Sequence, residues 1–137
     1  MKNKHIGVFD SGLGGLTVVK ALKEILPNES ILYFGDTARL PYGVKSRDLI
    51  IQYSMQIANF LIKNDAKMII VACNTATAMA LEVLKNNFKG TPIIGVIEPG
   101  SIQASLDSKS KKIGVIGTVA TINSKAYDIA LKLVDKE

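Results

Sequence analysis

An α/β fold, with a mostly parallel sheet and flanking helices, is what this sequence predicts. Two observations carry the expectation. Short apolar runs alternate with segments whose apolar residues recur at helical spacing. Each run also ends in glycine or small polar residues, which suit a turn into the next helix. Strands that alternate with helices imply parallel pairing through crossover connections.

The elements follow in order. Residues 5–9, His-Ile-Gly-Val-Phe, read as the first strand, and residues 16–26 as a helix ended by Pro27-Asn28. Residues 30–34 are the second strand, followed by a longer loop through Pro41-Tyr42-Gly43. Ser46 can cap a helix running to about Asn64, with Leu49, Ile50, Tyr53, Ile57, Phe60 and Leu61 at helical spacing. Residues 67–71, Lys-Met-Ile-Ile-Val, read as the third strand, an apolar run that marks a strand covered on both faces. A third helix is expected over residues 75–88, stopped by Gly90, and a fourth strand over 92–96. A short helix over 101–106, a fifth strand over 113–116 and a helix over 124–134 complete the pattern. Glu98-Pro99-Gly100 is the best candidate for a domain boundary.

Composition narrows the class. The chain has 137 residues, 47% hydrophobic and 21% charged, enough apolar content to bury a core. Its single cysteine excludes an internal disulfide, and with one histidine there is no metal-ligand spacing, so no metal is expected. A reducing cytoplasm fits that usage. The basic start Met1-Lys2-Asn3-Lys4-His5 precedes an apolar stretch that Asp10 and Gly12 break, unlike a signal peptide. No window approaches the ~18 apolar residues of a membrane span. The net charge of +5 comes from scattered lysines, several at expected helix ends such as Lys23, Lys63 and Lys132. Only Lys109-Ser110-Lys111-Lys112 is dense, so no nucleic-acid partner is expected.

Lining up the strand ends brings the chemistry together. Asp10-Ser11-Gly12, Gly35-Asp36-Thr37, Cys73-Asn74-Thr75, Glu98 and Gly117-Thr118 each follow an expected strand. Open α/β sheets bind ligands at that edge, and this mixture of groups suits a small polar ligand. Cys73 lies where a buried strand turns into a helix. It reads either as a small buried hydrophobe or as a base or nucleophile. A helix N-terminus favours thiolate, lowering a thiol pKa from about 8.5 into the range of about 3.5–7.5. Gly12-Leu13-Gly14-Gly15 reads either as a tight turn needing glycine backbone angles or as an anion cradle. The dinucleotide fingerprint would require glycine where Thr17 stands, though Asp36 occupies the place of a ribose-binding acid.

Four segments, in order, resemble glutamate racemases. They are residues 6–18, IGVFDSGLGGLTV; residues 33–43, YFGDTARLPYG; residues 71–78, VACNTATA; and residues 113–121, IGVIGTVAT. The resemblance covers nearly the whole chain. It implies a cofactor-independent isomerase interconverting L- and D-glutamate and supplying D-glutamate for peptidoglycan. It implies that Asp10 and Ser11 contact the amino acid, with Asp10 also assisting the thiol. Tyr42 and Gly43 would bind the substrate, through hydroxyl and backbone donors to its carboxylate. Cys73 would be the base-acid on the D-glutamate side, with Asn74 and Thr75 holding substrate groups. Thr118 and Thr121 would be contacts from the second domain.

The same resemblance implies two similar α/β domains with the site between them. Residues 1–97 would open the first, lacking its C-terminal elements, and residues 98–137 would begin the second. Family members use two cysteines on opposite faces of the substrate. The second belongs to a Cys-Thr-His block that these 137 residues do not contain. The chain alone is therefore expected to be an inactive part of the enzyme, with exposed apolar surface that leaves a homodimer open. A different amino-acid racemase, a single-cysteine member of the superfamily and a non-catalytic anion-binding half-domain are the alternatives.

Overall fold

A computed structural model describes residues 4–134. The basic Met1-Lys2-Asn3 and residues 135–137 of the expected second domain lie outside the described residues. Four strands form one parallel sheet: β1 His5–Asp10, β2 Ile31–Gly35, β3 Ala66–Val71 and β4 Ile93–Gly95, in the order β2-β1-β3-β4. The helices are α1 Leu16–Ile25, α2 Arg47–Lys63, α3 Asn74–Asn87, α4 Ile97–Asp107, α5 Val119–Asn123 and α6 Ala126–Val134. Two short 3-10 turns, Thr37–Arg39 and Tyr42–Val44, fill the loop before α2, and the Leu40–Pro41 peptide is cis.

Period-two alternation sorts the strands onto two faces. Phe9, Ile69, Val71 and Ile93 face the larger core, where α2 and α3 supply Ile50, Ile57, Leu61, Ala80 and Leu84. Ile6, Val8 and Ile70 face the other way, under Val18, Val19 and Leu22 of α1. That second face is covered on one side only. The row Tyr33, Val8, Ile70 and Ile94 crosses the sheet in register, and Ile94 at its end is 48% exposed.

Ser46 caps α2 as expected, its hydroxyl accepting the Leu49 amide at 3.3 Å. The fifth strand is not found. Residues 112–118 form no regular element and pair with no strand among the described residues, and Ile116 is 99% exposed. Their composition is that of a strand, but a strand exists only against a neighbour, and β4 pairs only with β3. The expected helix over 101–106 is longer, beginning at Ile97, so Glu98-Pro99-Gly100 lies in its first turn. Proline is tolerated there because its missing N–H would have had no helical partner. Glu98 is exposed on that turn rather than gathered with the other strand-end residues.

Candidate active site

The order β2-β1-β3-β4 reverses direction between β1 and β3. A crevice opens at the carboxyl ends of such strands, and ligands bind there in open α/β sheets. Asp10 ends β1, Ser11 follows it, and Cys73 comes two residues after β3. The Ala72 amide bonds the Phe9 carbonyl at 2.8 Å, tying the two strand ends together. Cys73 is 6% exposed and is the N-cap of α3: its sulfur accepts the Ala76 amide at 3.4 Å. The same sulfur lies 3.5 Å from the Ser11 hydroxyl oxygen. The sulfur therefore sits at the N-terminal end of α3, in contact with one of its free amides.

Asp10 is buried and turns back on its own loop. Its carboxylate accepts the Gly15 amide at 3.0 Å, just ahead of α1. A Cβ on Gly15 would stand 2.8 Å from the Asp10 Cβ, so glycine is needed there for close approach. None of the described glycines has a positive φ, so space rather than backbone angle explains the glycine-rich loop. The anion-cradle reading is also answered, because a carboxylate already faces this helix start and would repel a phosphate. Tyr33 closes the loop from β2, its hydroxyl donating to the Gly12 carbonyl at 2.7 Å. Burial raises the Tyr33 phenol pKa above its usual value, and the negative charges of Asp10 and Cys73 add to the effect.

A second group of side chains stands around Thr75. Its hydroxyl oxygen is 2.8 Å from that of Thr118 and 3.2 Å from that of Thr121, which are themselves 2.9 Å apart. Thr118 caps α5 by accepting the Thr121 amide at 3.3 Å. Hydroxyls 43 and 46 residues from Thr75 thus meet it. Gly43 packs on this cluster: a Cβ there would fall 2.5 Å from the Thr118 Cβ.

Tyr42, beside it, is buried, and its hydroxyl donates to Asp36. Burial and that carboxylate push the Tyr42 phenol far above its usual pKa, and the Cys73 charge adds to the shift. Asp36 is therefore a structural partner of the turn rather than a ribose ligand. Its other bond comes from Arg39, whose Nε lies 2.9 Å from Oδ1. Asn74 opens α3, and its side-chain oxygen accepts the Tyr127 hydroxyl of α6 at 2.5 Å. No group of three or more His, Cys, Asp or Glu suited to a metal ion occurs among the described residues. No described helix is long and apolar enough to cross a membrane.

The family model described as Asp/Glu/Hydantoin racemase matches residues 6–134. The chain belongs to that family. Within it, the chain is 52% identical to the glutamate racemase of Geobacter metallireducens over 134 residues, 98% of this chain and 49% of that protein. It is 54% identical to the glutamate racemase of Aquifex aeolicus over 132 residues, 96% of this chain and 52% of that one. The solved glutamate racemase of Aquifex pyrophilus superposes with a TM-score of 0.92 at 52% identity, covering 96% of this chain and 52% of that structure. The Francisella tularensis glutamate racemase, solved in complex with D-glutamate, superposes with a TM-score of 0.87 at 47% identity, covering 98% and 50%. This racemase-family chain thus spans about half the length of the curated relatives it matches.

In this member of the Asp/Glu/Hydantoin racemase family, the structure places Asp10, Ser11 and Cys73 at the carboxyl ends of β1 and β3. Tyr42, Gly43, Thr75, Thr118 and Thr121 form an adjoining wall. Asn74 is at the same edge, with its side chain turned to Tyr127. The Tyr42 hydroxyl cannot donate to a substrate while it donates to Asp36. Tyr33, Arg39 and Tyr127 are further partners at this edge, singled out by no motif or spacing in the sequence beyond the opposite charge of Arg39 three residues from Asp36.

Proposed function

We propose that this chain carries the Cys73 side of a glutamate racemase site. The observation that carries the reading is a lone thiol capping a helix at the sheet's switch point, touching Ser11 and near Asp10. The half-length relatives named glutamate racemase support it. The α-proton of an amino acid is weakly acidic, so its removal needs a close base in a preorganised site. Cys73 as thiolate takes that proton from D-glutamate, and the electron pair left on the α-carbon spreads into the carboxylate. Returning the proton to the same face restores D-glutamate, whereas inversion needs a donor on the opposite face. Cys73 is the only thiol in the 137 residues, so a second thiol on the opposite face would have to come from outside them.

Ser11, Asn74, Thr75, Thr118, Thr121 and the Tyr42–Gly43 turn hold the amino acid, and Asp10 orients its ammonium group or assists the thiol. The reaction uses no cofactor and feeds D-glutamate to peptidoglycan, and so to cell-wall building and cell shape, in the cytoplasm. Residues 1–97 belong to the first α/β domain and 98–137 to the second, with a homodimer as the assembly. A titration of the labelled chain by NMR tests the reading, using D-glutamate, L-glutamate, aspartate and a malonate. The reading expects D-glutamate to shift Ser11, Asn74 and Thr75. Shifts at those residues with aspartate or malonate alone would favour another member of the superfamily. Equal shifts with every dicarboxylate would reduce the site to anion binding.

A further inference from the structure

We propose that Arg39 is a positioning residue, which acts through Asp36 and Tyr53 to hold the Tyr42–Gly43 turn against Thr118. The contacts form a closed ring. Tyr42 donates its hydroxyl to Asp36, and Arg39 donates Nε to the same carboxylate at 2.9 Å. The Arg39 guanidinium carbon lies 4.2 Å from the centroid of the Tyr53 ring, and one terminal nitrogen donates to Gln56 Oε1 at 2.6 Å. The Tyr53 ring returns to Tyr42 with centroids 5.8 Å apart. Tyr53 and Gln56 stand on α2, a helix of 17 residues, so the ring ties a loop to a rigid element.

The loop needs that tie. Between β2 and α2 its regular structure is two 3-10 turns of three residues each, which hold themselves weakly. Asp36 is 4% exposed, and a carboxylate so buried is stable only when paired. Arginine is suited to the task because its planar fork can bond the carboxylate and Gln56 while stacking on Tyr53; lysine offers only a point charge. On the far side, Gly43 has no room for a Cβ against Thr118, whose hydroxyl meets Thr75 and Thr121. The turn is therefore gripped between the Arg39 ring and α5. A shift of the turn would disturb Thr118 and, through its hydroxyl, Thr75.

That such movement would matter for substrate rests on the racemase reading; the grip itself does not. Isotope-labelled wild-type, Arg39→Gln and Arg39→Lys chains are compared by NOESY. The wild type is expected to show a strong cross-peak between the Gly43 Hα protons and the Thr118 methyl. Arg39→Gln should lose it, while the amide shifts of Val8 and Ile70 stay unchanged, separating a local release from general loosening. Arg39→Lys keeps a charge on Asp36 without the stack and should show a weakened peak. An undiminished peak in Arg39→Gln would overturn the proposal. If that variant does not fold, an undiminished peak in Arg39→Lys overturns it equally. Adding D-glutamate to the wild-type chain separates the two ideas. Unmoved Tyr42 and Gly43 signals count against the racemase reading, while a retained Gly43–Thr118 peak in the variants counts against Arg39.

Discussion

Tyr42 couples the site to pH through its hydroxyl. Its phenol pKa is raised by burial, by the Asp36 hydrogen bond and by the Asp36 charge. In the unfolded chain a tyrosine ionises near pH 10. Above that pH the unfolded state sheds a proton that the folded state retains. The stability contributed by neutral Tyr42 is complete below about pH 10 and falls as pH rises from there toward the folded value. Denaturant melts from pH 9 to 11 should therefore show a steep loss of stability that Tyr42→Phe makes shallower. An equal slope in both chains would mean that Tyr42 ionises freely. Gly43→Ala tests the neighbouring contact: a Cβ 2.5 Å from the Thr118 Cβ should cost about 1–3 kcal/mol as overpacking, read from urea midpoints.

At the scale of elements, α3 joins fold to chemistry, since Cys73 is its cap as well as the candidate base. Cys73→Ser keeps an acceptor for the Ala76 amide, and serine is a good N-cap. Cys73→Ala removes it and should cost about 0.5 kcal/mol, at the low end of cap losses because sulfur is a weak acceptor. Serine should thus melt with the wild type while losing thiol chemistry; equal melting of all three chains would show that the cap contributes nothing. Hydrogen exchange provides a second check: amides 113–117 should exchange far faster than those of β1 and β3.

The sequence disclosed β1, β2, β3 and the long helices because period and turn chemistry are local signals. It disclosed the polar strand ends for the same reason. Residues 113–116 misled because their composition names a strand while their neighbours supply none. The sequence places the start of α4 four residues late, because Pro99 and Gly100 suggest a break although a first helical turn accepts both. The threonine cluster needed tertiary structure, since Thr75 and Thr118 are 43 residues apart. The commitment of the Tyr42 hydroxyl to Asp36 depends on a turn geometry that no spacing rule discloses.

For the molecule as a whole, one face of the sheet is well covered and the other is partly bare, with Ile94 and Ile116 prominent among the exposed apolar residues. Such surface favours self-association, so sedimentation at rising concentration should show the chain leaving the monomer state. The site has the same one-sidedness. A single thiol can take the α-proton from one face and return it there, and His5 stands at the opposite end of β1 from Asp10. The decisive measurement is chiral chromatography with mass detection after long incubation of the purified chain with D-glutamate in deuterated water. The account predicts that any α-deuterium appears in D-glutamate, that Cys73→Ala abolishes it, and that L-glutamate does not accumulate. Sustained conversion in both directions, lost in Cys73→Ala, would contradict it by placing a second acid-base group within these residues or across a dimer.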